Sequence, residues 1–187
     1  MIIVFTGNGK GKTTAALGQA ARMVGRGKRV LMIQWIKGPW KSGEDFIEIK
    51  QKEAALPAEA RGNDAKAGEF KLIKKGLGFV GILGDTLPRK EHERAAQDAF
   101  ELAKKELAGG EWDLIICDEL NVALSLNLLK LDDVLAWLAT VPKEKFILST
   151  GRGAPQALID AADLATEMKE IKHPFNDGAL AKIAVEF

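Results

Sequence analysis

One cysteine, no tyrosine, two histidines and six prolines leave this chain of 187 residues with few of the usual signposts to function. A lone Cys117 excludes an internal disulfide framework. Its place inside an apolar run marks it as core filler rather than nucleophile, and a reducing cytoplasmic setting is expected. Neither sign of charge prevails, with 27 Lys and Arg against 26 Asp and Glu, so the chain offers no electrostatic footprint for nucleic acid or an anionic membrane. No apolar stretch approaches the ~20 residues needed to span a bilayer. The N-terminal apolar run has neither a basic leader nor a cleavage site, so no export signal is expected. At 47% hydrophobic and 28% charged, the length suits one domain over residues 1–187 and falls short of two.

What is present is concentrated at the start. Met1 to Phe5 is a short apolar β-type run. Thr6, Gly7, Asn8, Gly9, Lys10, Gly11, Lys12, Thr13 and Thr14 come next as a glycine-rich loop ending in Gly-Lys-Thr, and a helix-forming segment succeeds it. This is a phosphate-binding loop in its proper context. Glycines let backbone N–H groups turn inward around an anion, Lys12 brings a mobile positive charge, and the Thr13 hydroxyl suits the magnesium that accompanies a nucleotide. Counting back from Gly11, the common pattern calls for glycine at position 6, where this chain has Thr6. Either a threonine replaces the first glycine or the loop is one residue shorter; both reshape the anion cradle.

Strand-like runs alternate with helical patterns along the chain, which predicts an α/β fold: a single-domain P-loop NTPase-like (RecA-like), mostly parallel sheet with helices on both faces. Ala16, Ala20, Met23 and Val24 form one helical stripe ending near Gly25 or Gly27, and Arg29 to Ile36 reads as a mostly buried strand. The loop from Lys37 to Glu44 at its carboxyl end carries Trp40. Residues 49–68 read as an exposed, insertion-like excursion, partly helical or mobile. Glu69 to Ile73 resumes as a strand, Gly76 to Gly84 is a glycine-rich loop containing Phe79, and Pro88 opens a long helix striped by Ala96, Phe100, Ala103 and Leu107, which Gly109-Gly110 ends. A helix from Pro155 to about Leu164 and a strand near Ala165 to Ile171 are expected last. His92 lies on a charged helix face and reads as solvated; Trp35, Trp112 and Trp137 read as packing residues.

A second chemical signal is the run Asp113 to Glu119, apolar residues closed by the adjacent carboxylates Asp118 and Glu119. It has the form of a Walker B element, since magnesium on a triphosphate wants one or two carboxylates beside the phosphate loop. The strand Lys145 to Thr150 ends in Gly151-Arg152-Gly153, and the planar guanidinium of Arg152 suits bidentate contact with phosphate oxygens.

Taken with Ile36-Lys37-Gly38, Gly43-Glu44, Gly78-Phe79, Asp118-Glu119-Leu120, Thr150-Gly151-Arg152-Gly153 and Lys172-His173-Pro174-Phe175, the chain resembles, over nearly its whole length, the P-loop ATP:corrinoid adenosyltransferases. The resemblance implies that the Co(I) of a reduced corrinoid attacks C5′ of ATP and inorganic triphosphate leaves, in adenosylcobalamin biosynthesis or salvage. It further implies ATP bound in reverse relative to other P-loop proteins. Lys12 and Arg152 would be catalytic, Thr6 to Thr14 would grip the phosphates, and Mg2+ would sit on Thr13 and Glu119 with Asp118 in support. Phe79 and Trp40 would border the corrinoid. A homodimer and an electron donor such as a flavodoxin-like protein are implied partners. Many family members place a second aromatic residue after the glycine-phenylalanine pair; here Val80 or Ile82 is expected to supply that apolar surface. His173 either shapes the nucleotide pocket or packs structurally. The rival readings are a P-loop ATPase or small-molecule kinase acting at the γ-phosphate, and a nucleotide-gated binding module.

Overall fold

The computed structural model describes residues 1–38, 40–52, 67–82, 84–178 and 180–185. Six parallel strands form one sheet: β1 Ile2–Thr6, β2 Val30–Gln34, β3 Phe70–Lys74, β4 Leu114–Asp118, β5 Phe146–Thr150 and β6 Leu164–Glu167, ordered β3-β2-β4-β5-β1-β6. The helices are α1 Lys12–Gly25, α2 Arg89–Ala108, α3 Leu120–Ser125, α4 Leu131–Leu138 and α5 Gln156–Asp160. Central β2 and β4 are buried at all five positions, which is why they read as unbroken apolar runs rather than alternating ones.

Side-chain alternation divides the core in two. Val4, Leu31, Ile33, Ile115, Cys117 and Ile147 point to one side, against Ala96, Phe100 and Ala103 of α2 and the apolar residues of α3, α4 and α5. Ile3, Val30, Met32, Leu114, Ile116 and Leu148 point to the other, where Ala16, Ala20 and Val24 of α1 cover them. Each fully buried aliphatic side chain contributes roughly 1.5–3 kcal/mol over its exposed state, so both layers are needed. The expected stripes on α1 and α2 face the core, with Met23 and Leu107 half-buried, and Trp35, Trp112 and Trp137 are core residues.

Two expectations about elements are corrected. The helix expected from Pro155 to about Leu164 stops at Asp160, because β1 captures the chain just beyond it: Asp163 N donates to Ile2 O and the Asp163 carboxylate accepts from Ile2 N. The strand expected near Ala165 to Ile171 occupies Leu164–Glu167, since β1 offers partners only as far as Thr6. Helix α4 carries only a one-turn stripe, Val134, Trp137 and Leu138, too short to stand out in sequence. The ends of the 49–68 excursion are pinned, with Lys50 bridged antiparallel to Glu69 and Phe70 N donating to Ile49 O. Its expected helical or mobile part, residues 53–66, lies outside the described residues.

Strand order and register place the site. Phe5 pairs with Thr150, Cys117 with Ser149 and Gln34 with Asp118, so the carboxyl ends of β1, β5, β4 and β2 lie level. The chain turns from β1 toward β2 on one side and reaches β6 on the other, the switch point where open parallel sheets collect ligands.

Candidate active site

Asp118 is the hub of this edge. It is fully buried. Its Oδ1 accepts from the Thr13 hydroxyl at 2.9 Å and the Thr150 hydroxyl at 2.6 Å, and its Oδ2 accepts from Gln34 Nε2 at 3.0 Å. The two threonines come from the phosphate loop and the end of β5, so one carboxylate fixes three strands' termini. Gln34 Nε2 also donates to Glu44 Oε1 at 3.1 Å, and Lys37 closes the network by pairing with Glu44 and approaching Asp118 Oδ2 at 3.9 Å. Against the upward push of burial, the Lys37 ammonium and the Gln34 amide hold the Glu44 carboxyl down at about 2.

The phosphate loop folds around its own lysine. Lys12 is buried, and its Nζ donates to Gly7 O at 2.8 Å and Gly9 O at 2.6 Å. Burial, with Arg152 nearby, lowers the Lys12 amine from its ordinary value despite the opposing pull of Glu119 and Asp118. Thr6, the residue in place of the usual first glycine, has its own partner: its hydroxyl accepts from Ala154 N at 3.2 Å, tying the loop to the bend that carries Arg152. Asn121 reinforces the tie by donating to both Phe5 O and Gly151 O. Beyond β6, Met168 N donates to Thr6 O and Met168 O accepts from Gly9 N at 2.7 Å.

Glu119 sits in the left-handed region, φ 65°, with its N–H donating to the Thr150 hydroxyl. Burial first, then the charge of Asp118, pushes its carboxyl up to about 7, with Lys12, Lys37 and Arg152 pulling the other way. Gly151 makes room for it: a Cβ there would lie 3.0 Å from Glu119 Oε2 and 2.9 Å from Val122 N. Thr13, Asp118 and Glu119 thus form an oxygen-rich donor set of the kind magnesium takes. No cluster of three or more His, Cys, Asp or Glu arranged for a metal occurs among the described residues, so a cation here would complete its shell with anion oxygens and water. Asn8, Lys10, Thr14 and Arg152 are exposed around this cradle.

One strand over, the edge turns apolar. Trp40 and Phe79 stack at 5.9 Å between ring centroids and 30° between planes, while remaining 54% and 43% exposed. Leu77 and Ile82 are exposed beside them in sequence. A Cβ on Gly78 would lie 2.9 Å from the Trp40 ring, so this glycine lets the indole close over the loop. Of the two residues expected to extend the apolar surface beside Phe79, Val80 packs against the core and Ile82 is exposed, while Trp40 places a second aromatic ring against Phe79.

His92 also requires correction. Expected on a solvated face, it is buried at 4% exposure, with Nε2 3.0 Å from Asp85 Oδ2. Its apparent charged face belongs to a helix whose first turn meets Asp85 of the preceding loop, a contact that no helical pattern discloses. Gln34, Thr150 and Asn121 were likewise silent as site residues, because each acts through a partner distant in sequence. His173 is half-buried near the 3-10 turn Pro174–Asp177.

The whole chain, residues 1–187, matches a family model described as ATP:corrinoid adenosyltransferase BtuR/CobO/CobP. It is 35% identical over 187 residues to a corrinoid adenosyltransferase of Escherichia coli strain K12, covering 100% of this chain and 85% of that protein. The corrinoid adenosyltransferase CobA of Salmonella typhimurium is 34% identical over the same length, with 85% of it covered. A corrinoid adenosyltransferase of Sinorhizobium is 32% identical, with 80% covered.

Proposed function

The chain belongs to the ATP:corrinoid adenosyltransferase family, and from that premise we propose how its own residues carry out the ATP-dependent adenosylation of a corrinoid. The enzyme transfers the 5′-deoxyadenosyl group of ATP to the Co(I) of a corrinoid. A cobalt–carbon bond forms from the Co(I) electron pair as the C5′–oxygen bond breaks, and triphosphate leaves with that bond's electrons. No proton moves at the reacting carbon, so no protein base is required. The work left to the chain is to hold C5′ in line with cobalt and to stabilise charge on the leaving group.

The observation that supports this reading best is the juxtaposition, on one sheet edge, of the Asp118 hub with the stacked Trp40–Phe79 pair. The loop amides from Gly7 to Thr13, the Lys12 amine and the Arg152 guanidinium bind the phosphates. Thr13 and Glu119 would hold magnesium, with Asp118 orienting the Thr13 hydroxyl, and the cation would supply positive charge to the leaving triphosphate. Trp40 and Phe79 give the corrin an apolar surface. By excluding water and an axial base from the cobalt they favour its four-coordinate, reducible state. A homodimeric, cytoplasmic enzyme served by a flavodoxin-like electron donor completes the proposal. No helix of the described residues is long and apolar enough to cross a membrane.

The test is product identity. MgATP with a chemically reduced corrinoid is expected to yield adenosyl-corrinoid and inorganic triphosphate in equal amounts, with no ADP. ADP formed without corrinoid would overturn the reading in favour of γ-phosphate chemistry.

A further inference from the structure

We propose that His92 and Asp85 form a latch that positions the loop carrying Phe79, and that this latch sets corrinoid affinity without touching substrate. The proposal rests on the reading of Phe79 as corrinoid-facing. The loop is poor in intrinsic order: residues 76–84 contain four glycines, Gly76, Gly78, Gly81 and Gly84. Its conformation must therefore come from contacts. Two bracket Phe79. On one side Gly78 N donates to Ile36 O at 2.9 Å. On the other Gly81 N donates to Asp85 Oδ2 at 2.7 Å, and Asp85 Oδ1 accepts from Leu87 N at 3.0 Å. Only Phe79 and Val80 lie between the two anchors.

Asp85 can serve as an anchor only if it is itself held, and His92 holds it. The imidazole is on the first turn of α2, nearly fully buried, and shares Oδ2 of Asp85 with the Gly81 amide. The carboxylate partner assigns the donor role to His92 Nε2. A buried, short, planar donor fixed to a twenty-residue helix transfers the stiffness of that helix to the loop. The exposed Phe79 ring then meets Trp40 at one angle instead of sampling many. Order imposed before binding lowers the entropic cost of engaging a flat apolar ligand.

The test uses the full-length protein with two substitutions at one position. His92→Phe fills the same space without a donor, and His92→Gln restores a donor near Nε2. In His92→Phe, hydrogen exchange at the Gly81 and Leu87 amides is expected to accelerate about tenfold, the worth of one charge-assisted hydrogen bond. The KM for reduced cobinamide should rise several-fold and the KM for ATP stay constant. His92→Gln should recover most of both losses. Unchanged amide exchange in His92→Phe overturns the latch. Faster exchange with an unchanged cobinamide KM overturns its positioning role, and Phe79→Ala then separates the causes: a raised KM in that variant leaves the corrinoid-facing reading standing, an unchanged one removes it. If His92→Phe does not fold, His92→Leu, which also removes the donor while leaving Asp85 to accept from the Gly81 and Leu87 amides, carries the same readings.

Discussion

At the phosphate side, a fully buried Asp118 accepts from Thr13, Thr150 and Gln34, and Lys12 is held by two loop carbonyls; at the apolar side, Trp40 and Phe79 stack on each other and both remain exposed. The two halves lie on one sheet edge yet solve different problems. A leaving anion develops charge at a fixed place, so fixed dipoles and charges set in advance act on it most strongly. A corrin is a broad apolar disc, and its recognition scales with the surface it covers rather than with the aim of any one group. Under the proposed function, rigidity built from buried polar bonds serves the first, and a surface carried on glycine-rich loops serves the second.

Removing Lys12 should break the phosphate side most completely. Lys12→Ala is expected to lower turnover by about a hundredfold or more, the scale of losing one charge-stabilising donor, with the fold retained in circular dichroism. Full activity in that variant would show that the loop does not bind the triphosphate. The apolar side should answer differently. Phe79→Ala should leave MgATP affinity nearly unchanged and keep much of the activity with pre-reduced Co(I), but lose about tenfold or more when Co(II) must be reduced on the enzyme. Equal losses in both assays would make Phe79 a mere loop anchor.

Glu119→Gln sharpens the comparison within the phosphate side. It should raise the magnesium concentration needed for half-maximal rate several-fold and leave corrinoid binding alone; an unchanged magnesium curve would assign the cation to another group. Glu44→Gln has the smallest expected effect. The folded Glu44 carboxyl lies at about 2, below its ordinary 4.5, so its charge stabilises the fold fully above that ordinary value. That contribution fades as pH falls toward 2. Denaturant midpoints should put the variant about 1 kcal/mol below the parent at neutral pH, with the gap narrowing by about pH 3. A gap that widens on acidification would mean the Lys37–Glu44 pair adds nothing.

The same contrast explains what could be read before the fold was known. The parts assigned to the phosphate side stand out in the sequence because they are local: a loop of nine residues, two adjacent carboxylates, an arginine between glycines. Backbone geometry over such short spans leaves a spacing signature. Trp40 was identified as a candidate, but its stacking on Phe79 was not, since it depends on β2 and β3 being neighbours. His92 was misread for a related reason, because helical periodicity reports a helix's own faces and not a loop that folds over one of them. The Thr6 departure from the loop pattern has a partner that no local pattern contains, since its hydroxyl accepts from Ala154 N across 148 residues.

The bonds of Met168 to Thr6 and Gly9 have a temporal consequence. They join the first loop of the chain to the residue just past β6, in a region where Ile2 and Asp163 meet across 161 residues. Most of the sheet can assemble from nearer neighbours, so the nucleotide cradle, written first, is finished last. Contacts of such long sequence separation form late because loop closure must precede them. In refolding, recovery of MgATP binding should lag recovery of the far-ultraviolet signal, and a chain still emerging from synthesis would gain its affinity for nucleotide only after β6 has docked.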